Sequence, residues 1–290
     1  MKASLIQLHT AVFLAGFTGI LGKLISLNEG LLVWYRILLT VLILVFLLYR
    51  KKAIQKVSSR LLIRLFATGF LIALHWVCFY GSIKYANVSI GLVCLSASGL
   101  FTALAEPLLT HKPFSLSEVL LSLLSLTGIF LIFHFDVPHR TGIILGIVSA
   151  VLAALFAVLN KRYIHTAPPQ TIMLYELTGG WMLLTLLMPW YVRQFPPEHL
   201  LPTLQDWGWL LLLAGFCTVW AMDLMLQALK KVSAFTQNLT LNLEPVYGII
   251  LAFILFHENK YLHSSFYAGI LLIGCSVIIQ MFRVMKRNSH

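Results

Sequence analysis

The sequence predicts an all-α polytopic membrane protein of ten transmembrane helices, arranged as two inverted five-helix repeats. Three observations carry that expectation. Ten apolar stretches are each long enough to cross a bilayer, which takes about 20 residues. They fall into two sets of five that share local motifs, and basic residues gather in alternate connections. With an odd number of crossings per set, the second copy must lie upside down relative to the first. Polar side chains of corresponding segments then meet in mid-membrane, the usual build of a secondary transporter.

Composition sets the solvent. Of 290 residues, 59% are hydrophobic and 11% charged, whereas a soluble domain carries about 25% charged residues. The chain lacks the polar surface to cover itself in water, so lipid is its expected surroundings. The net charge of +11 does not point to nucleic acid, because Lys and Arg sit in short clusters at the ends of apolar runs. Cys78, Cys94, Cys217 and Cys275 lie inside apolar runs at unrelated spacings, which reads as buried small hydrophobes rather than a disulfide or metal framework.

The segments follow in order. The first, 5–25, begins directly after Met1-Lys2; a cleaved leader would need a small-residue cleavage site and a soluble chain behind it, so this segment is expected to be retained. Asn28-Glu29-Gly30 turns the chain into the second, 30–50, which ends in the basic run Arg50-Lys51-Lys52. The third, 61–83, fourth, 87–110, and fifth, 115–134, follow on short connections. Pro138-His139-Arg140 precedes the sixth, 141–161, and Pro168-Pro169 opens the seventh, 170–190. The longest polar connection, 193–206 with Pro196-Pro197, separates the seventh from the eighth, 207–229; the ninth, 233–257, and tenth, 263–284, complete the set.

Basic residues orient these segments. With the N-terminus cytoplasmic, that side collects 15 of them: Lys2, Arg50, Lys51, Lys52, Lys56, Arg60, Arg64, Lys112, Lys161, Arg162, Lys230, Lys231, Arg283, Lys286 and Arg287. The other side collects 5: Lys23, Lys84, Arg140, Arg193 and Lys260. The positive-inside rule then places both termini in the cytoplasm. Trp190, Tyr191, Trp207 and Trp209 fall where interfacial aromatic belts belong.

The repeat is visible in short matches. Residues 82–87 (Ser-Ile-Lys-Tyr-Ala-Asn) match 228–233 (Ala-Leu-Lys-Lys-Val-Ser) at an offset of 146, which also pairs His111 with His257 and Gly128 with Gly274. Earlier, Gly22-Lys23 pairs with Asn160-Lys161 at 138, and Tyr35-Arg36 with Tyr175-Glu176 at 140. Superposing the two Glu-Pro pairs, 106–107 and 244–245, would mismatch the flanking stretches and is rejected. The repeats are therefore expected over residues 1–137 and 138–290.

On these residues the chain resembles the EamA-type family of the drug/metabolite transporter (DMT) superfamily. The second repeat carries the resemblance in Ala228-Leu229, Ser233-Ala234, Glu244-Pro245, Phe256-His257-Glu258, Gly269 and Gly274; the first carries it in Tyr35-Arg36-Ile37-Leu38-Leu39. The first copy departs from the pattern, with Gly99 where a proline is expected and Lys112 where a glutamate is. The resemblance implies a cavity ringed by segments 1, 3, 4, 6, 8 and 9, and transport of a small metabolite such as an amino acid, purine, sugar or drug. It implies a cell inner or plasma membrane and slightly favours efflux.

Glu244 is the strongest single pointer within the spans. A charged group at mid-bilayer costs roughly 2.5–3.5 kcal/mol, and Pro245, the expected hinge, leaves a helical carbonyl without its partner. Such a polar spot survives only in protein or beside a cavity. Gln237, Thr240 and Glu244 share one helical face with Asn238 and Asn242 beside them, and Tyr247 follows one turn later. In the fourth segment Ser98, Thr102 and Glu106 form a second stripe, for which helix–helix hydrogen bonding is the competing role. His75 with Trp76 and Tyr80, and Asp223 with Trp220, combine a polar group with aromatic walls suited to an amphipathic metabolite. Simpler roles compete here too: His75 bonding a neighbouring carbonyl, and Asp223 pairing with Lys230 or Lys231. Arg36 and Glu176 are expected to act in gating or structure, near opposite faces of the membrane. Lys23 and Lys161 are expected to snorkel to the interface, and Glu258 to be structural.

The expected substrate-binding set is thus His75, Trp76, Tyr80, Ser98, Thr102, Trp220, Asp223, Gln237, Asn238, Asn242, Glu244 and Tyr247, with Glu244 also the proton-coupling residue. A carboxyl group that passes between wet and dry surroundings exchanges its proton with them. Asn87-Val88-Ser89 and Asn238-Leu239-Thr240 fit the glycosylation pattern only by accident of membrane position. No phosphate-cradling loop, zinc motif or nucleophile elbow appears, so no cofactor, metal or enzymatic activity is expected. The partners are then a small solute, lipid and protons, without nucleic acid. An uncoupled facilitator, a channel-like permease and a non-transporting scaffold are the alternatives.

Overall fold

A computed structural model describes residues 2–132, 140–244, 246–248 and 264–287. Every regular element among them is helical. The first half comprises α1 (Lys2–Leu24), α2 (Glu29–Arg50), α3 (Ser59–Tyr85), α4 (Val88–Ser96), α5 (Ser98–Thr110) and α6 (Leu116–Ile132). The second comprises α7 (Arg140–Tyr163), α8 (Pro169–Gln194), α9 (Leu204–Ala214), α10 (Ala221–Leu229), α11 (Ala234–Leu241) and α12 (Ser264–Arg287). Among the described residues seven helical stretches are long and apolar enough to cross a membrane: α1, α2, α3, Ile90–Thr110, α7, α8 and Leu204–Leu229. Helix α6 is apolar but shorter. The expected hinge Pro245, the 138–139 turn, and Phe256-His257-Glu258 lie outside the described residues.

Three expected segments are interrupted rather than straight. The fourth breaks at Ala97, between α4 and α5. The eighth widens into a π-helical turn over Gly215–Trp220, where Thr218 Oγ1 donates to the Leu213 carbonyl five residues back at 2.8 Å. Such a turn leaves the backbone locally re-aimed, which is why π-bulges gather at functional sites. The ninth segment stops as a helix at Leu241 and turns through Asn242 and Leu243. Ala97 and Leu243 stand at the repeat offset of 146.

The caps repeat too. Asn87 Oδ1 accepts the Ile90 amide at 2.8 Å at the start of α4, and Ser233 Oγ accepts the Thr236 amide at 3.0 Å at the start of α11. Both fill the position whose side chain satisfies an otherwise orphaned helical N–H. Lysines close the opposite kind of end. Lys84 Nζ donates to the carbonyls of Ile25 (3.2 Å) and Leu27 past α1, and Lys161 Nζ to those of Leu229 (2.7 Å) and Val232 (2.6 Å) at the end of α10. These are helix C-termini, where orphan carbonyls and the helix dipole favour a cation. Lys161 is therefore held inside the protein, not extended to the headgroups.

The halves pack against each other in pairs that survive exchange of one half for the other. Helix α1 packs on α10 and, correspondingly, α3 on α7; α3 packs on α8, and α2 on α9. Helix α2 meets α8, α5 meets α11, and α6 meets α12. The α3–α8 contact brings backbone against backbone. A Cβ on Gly69 would collide with the Glu176 carbonyl, one on Gly180 with the Gly69 carbonyl, and one on Gly179 would come within 2.6 Å of Phe66 Cα. Small residues let backbones approach where lipid supplies no hydrophobic drive for association.

One end of the bundle is sealed by contacts between the halves. The Ser26 amide donates to Asp206 Oδ1 at 2.8 Å and its hydroxyl to Oδ2 at 2.6 Å, with His199 Nε2 at 2.9 Å from the same hydroxyl. Asp206 also completes a capping box with Thr203 at the start of α9. Beside it Tyr191 donates to Glu29 at 2.8 Å, and Tyr35 to the Leu200 carbonyl at 3.2 Å.

Because Gly69 abuts backbone, Gly69→Ala should cost about 1–3 kcal/mol or more, read as a lower melting temperature of the purified protein in detergent. Gly208→Ala should leave it unchanged or raise it, since nothing lies within 4 Å of that Cβ.

Candidate functional site

The halves enclose a cavity of about 110 Å³ that a water-sized sphere can enter, room for several waters. Its lining comes from α1, α2, α3, α4, α7, the π turn with α10, and the ninth segment. Apolar walls are supplied by Ile72, Trp76, Phe79, Leu95, Phe156, Met222, Met225 and Leu226. The polar lining is sparse: Thr18, Arg36, His75, Asn160, Thr218, Gln237 and Glu244. Among those residues one is a fixed cation and one a carboxylic acid.

Arg36 sits in this cavity rather than near a membrane face. It is 2% exposed. Its Nη1 donates to the Tyr80 hydroxyl at 2.7 Å and its Nε to Thr218 Oγ1 at 2.9 Å, while the guanidinium carbon lies 3.9 Å from the centre of the Trp76 ring. A cation over an indole face gains from the ring quadrupole, more so when desolvated. The π turn matters here: it presents Cys217 and Thr218 to the cavity, and Thr218 carries Arg36.

Glu244 lines the same cavity, 5% exposed. Its charge and that of Arg36 interact, but no cation of the described residues stands within 4 Å of the carboxylate. From the same segment Gln237 joins the lining, and no donor among the described residues reaches its Oε1; the same holds for Asn160 Oδ1. A polar atom buried without a partner costs about 1–3 kcal/mol, and both oxygens are almost wholly inaccessible.

His75 is fixed by α7. Its Nδ1 lies 2.9 Å from the Ser149 carbonyl, and the Ser149 hydroxyl donates back to the His75 carbonyl at 3.1 Å. Only a protonated ring nitrogen bonds a carbonyl, so Nδ1 carries a hydrogen and, in the neutral ring, Nε2 is an acceptor. Phe79 and Phe156 flank the imidazole at 6.4 and 5.3 Å between centroids.

The remaining expected residues lie elsewhere. The two polar stripes are hydrogen-bonded between the halves, α11 to α5 and the residue after α11 to α6. Asn238 donates to Thr102 at 2.7 Å, Asn242 to Ser125 at 2.7 Å, and the Phe235 amide to Glu106 at 3.0 Å. Thr102 in turn donates to the carbonyl of Ser98 at 2.6 Å, and Ser98 is buried. This is hydrogen-bonded glue between halves. Tyr80 stands behind Arg36, fully buried, as its acceptor. Trp220 is 48% exposed and borders Phe216 on the outer surface of the bundle. Asp223 accepts from Gln170 and Gln227, each at 2.6 Å, instead of pairing with Lys230 or Lys231. Gln7 donates to Gln227 at 3.1 Å, so this chain of amides ties α8 and α10 to α1. Tyr247 packs edge-on to Phe13 at 5.6 Å. Glu176 is completely buried behind the cavity, its backbone against Gly69. Both sequon asparagines are occupied, Asn87 as a helix cap and Asn238 in the bond to Thr102.

The sequence pointed to Arg36 as charged and mid-segment, but not to its place in the cavity. Asn160, Phe156, Cys217, Thr218, Met222 and Met225 were not legible as lining residues. The one available signal was the pairing of Gly22-Lys23 with Asn160-Lys161.

Comparisons with known proteins agree with this architecture. No curated protein matches the chain in sequence. A solved crystal structure superposes with a TM-score of 0.76 at 14% identity, covering 98% of this chain and 98% of that one, which shows the same fold. The EamA-like transporter family matches twice, over residues 2–134 and 140–280. The chain is thus a two-repeat, membrane-spanning transporter of the drug/metabolite transporter superfamily, and it belongs to the EamA-like transporter family.

Proposed function

We propose that this transporter is a secondary carrier that exports a small organic metabolite, an amino acid or a related solute, by alternating access and in exchange for protons at Glu244. The observation that carries this reading is the cavity at the junction of the halves, which combines Glu244 and Arg36 with an aromatic and thioether wall. A carrier needs a site reachable from either side in turn, and a pocket between two repeats serves both if the repeats rock. The solute site comprises His75, Trp76, Gln237 and Glu244, with Tyr80 supporting from behind. Pro245 is the proposed hinge, and the bonds among Thr102, Asn238 and Asn242 hold the halves together beside the site.

The chain is assigned to a cell inner or plasma membrane with both termini cytoplasmic, on the distribution of its basic residues. Its repeats are assigned to residues 1–137 and 138–290, inverted about an axis in the membrane plane. On that orientation the Ser26–Asp206–His199 contacts form the outer seal. No step requires a cofactor.

Two outcomes test this. In proteoliposomes, an imposed pH gradient should drive saturable flux of a labelled metabolite panel, and Glu244→Gln should abolish the dependence on the gradient while leaving downhill exchange. Flux that never saturates, or a gradient dependence untouched by the substitution, removes the coupled-carrier reading. In a variant with Cys217 as its only cysteine, Asp206→Ala should increase labelling by an impermeant maleimide added from the outer side. Unchanged labelling would mean that these contacts do not seal the outer end.

A further inference from the structure

We infer that Arg36 is the specificity-determining residue of the cavity and binds a carboxylate on the transported solute. The inference rests on the carrier reading for its physiological meaning, and on geometry for its chemistry. A guanidinium offers five N–H donors in a rigid fork. Two are spent, on Tyr80 and on Thr218. The described residues supply no acceptor for the other three and no carboxylate within 4 Å.

Arg36 cannot be neutralised by losing its proton, as a lysine could be. A buried charge is strongly disfavoured unless something supplies the missing countercharge. Glu244 faces it across the cavity without touching it. His75 is the remaining titratable lining group from α3, and its Nδ1 is committed to Ser149. The countercharge that would satisfy the fork therefore has to come from what enters the cavity. A carboxylate matches the planar donor set and can be bound by two parallel N–H···O bonds.

The wall around this cation selects the rest of the solute. Trp76 covers one face of the guanidinium and, with Phe79, Phe156 and Met222, presents flat, polarisable surface. The ligand class is thus a monocarboxylate with an apolar or aromatic body. A purely structural Arg36, pinning α2 to α3 through Tyr80 and to the π turn through Thr218, would show no such preference.

Phenylacetate and phenylacetamide have the same ring and nearly the same size, and differ in the charge of one end. Binding of each to the purified full-length protein in detergent, by calorimetry and by thermal shift, reads the preference directly and needs no variant. A hydrogen bond to a charged group contributes about 1.5–3 kcal/mol, or roughly ten- to a hundredfold. Phenylacetate should bind at least about tenfold more tightly than the amide and raise the melting temperature. Arg36→Lys, which keeps the charge and loses the fork, should erase most of that difference. Equal binding of acid and amide, binding of neither, or an unchanged preference in Arg36→Lys overturns the assignment. A carboxylate preference without saturable flux would overturn the carrier reading and leave Arg36 assigned; saturable flux without the preference would do the reverse.

Discussion

A bilayer offers no hydrogen bonds, and nearly every irregular feature of this molecule answers to that constraint. A helix satisfies its own backbone except at its ends and at breaks. Here the ends buried in the bundle are met by side chains, some from the capping residue itself and some from elsewhere in the fold. Lys84 and Lys161 reach terminal carbonyls, Asn87 and Ser233 accept terminal amides, and Glu106 crosses from one half to accept the Phe235 amide at the start of α11. The polar residues that look costly in an apolar sequence are largely those that complete the backbone.

A second set of buried polar groups does not complete backbone. Arg36, Glu244, Gln237 and Asn160 line one cavity; among the described residues Gln237 Oε1 and Asn160 Oδ1 find no donor there, as Glu176 and Asn242 Oδ1 find none outside it. The contrast with Thr102, Asn238 and Asn242 is instructive. Those three carry chemistry as suitable for a solute, yet each bonds across the halves, Asn238 with Thr102 of α5 and Asn242 with Ser125 of α6. The same residue types thus join the halves in one place and line the cavity in another.

The repeat explains why the cavity sits where the halves meet. Caps and helix breaks recur 146 residues apart, and contacts between helices recur under exchange of the halves. The repetition is incomplete where function is concentrated. The Glu244 side chain has no acidic counterpart in the first half, and Arg36 matches Glu176, which is buried behind the wall. A symmetric frame with an asymmetric lining can offer one cation and one acid to a solute while its two ends open and close in equivalent ways.

Much of this was legible in the linear pattern, because burial in lipid demands long apolar runs and short polar punctuation that leave their mark on sequence. The helical class, most of the segments and the doubling follow from length and periodicity, and the cost of a charge at mid-membrane singled out Glu244, which lines the cavity with His75 and Trp76. Register between helices leaves no such mark. Whether Trp220 faces lipid, whether Asp223 meets a lysine or two glutamines, and whether Arg36 reaches a headgroup or a cavity each depend on a rotation of a helix about its own axis. That rotation is settled by glycine contacts such as Gly69 against the Glu176 backbone, and by the π turn that brings Thr218 under Arg36. Apolar periodicity says that a helix is buried in a membrane; only packing against its neighbours decides which of its faces meets the solute.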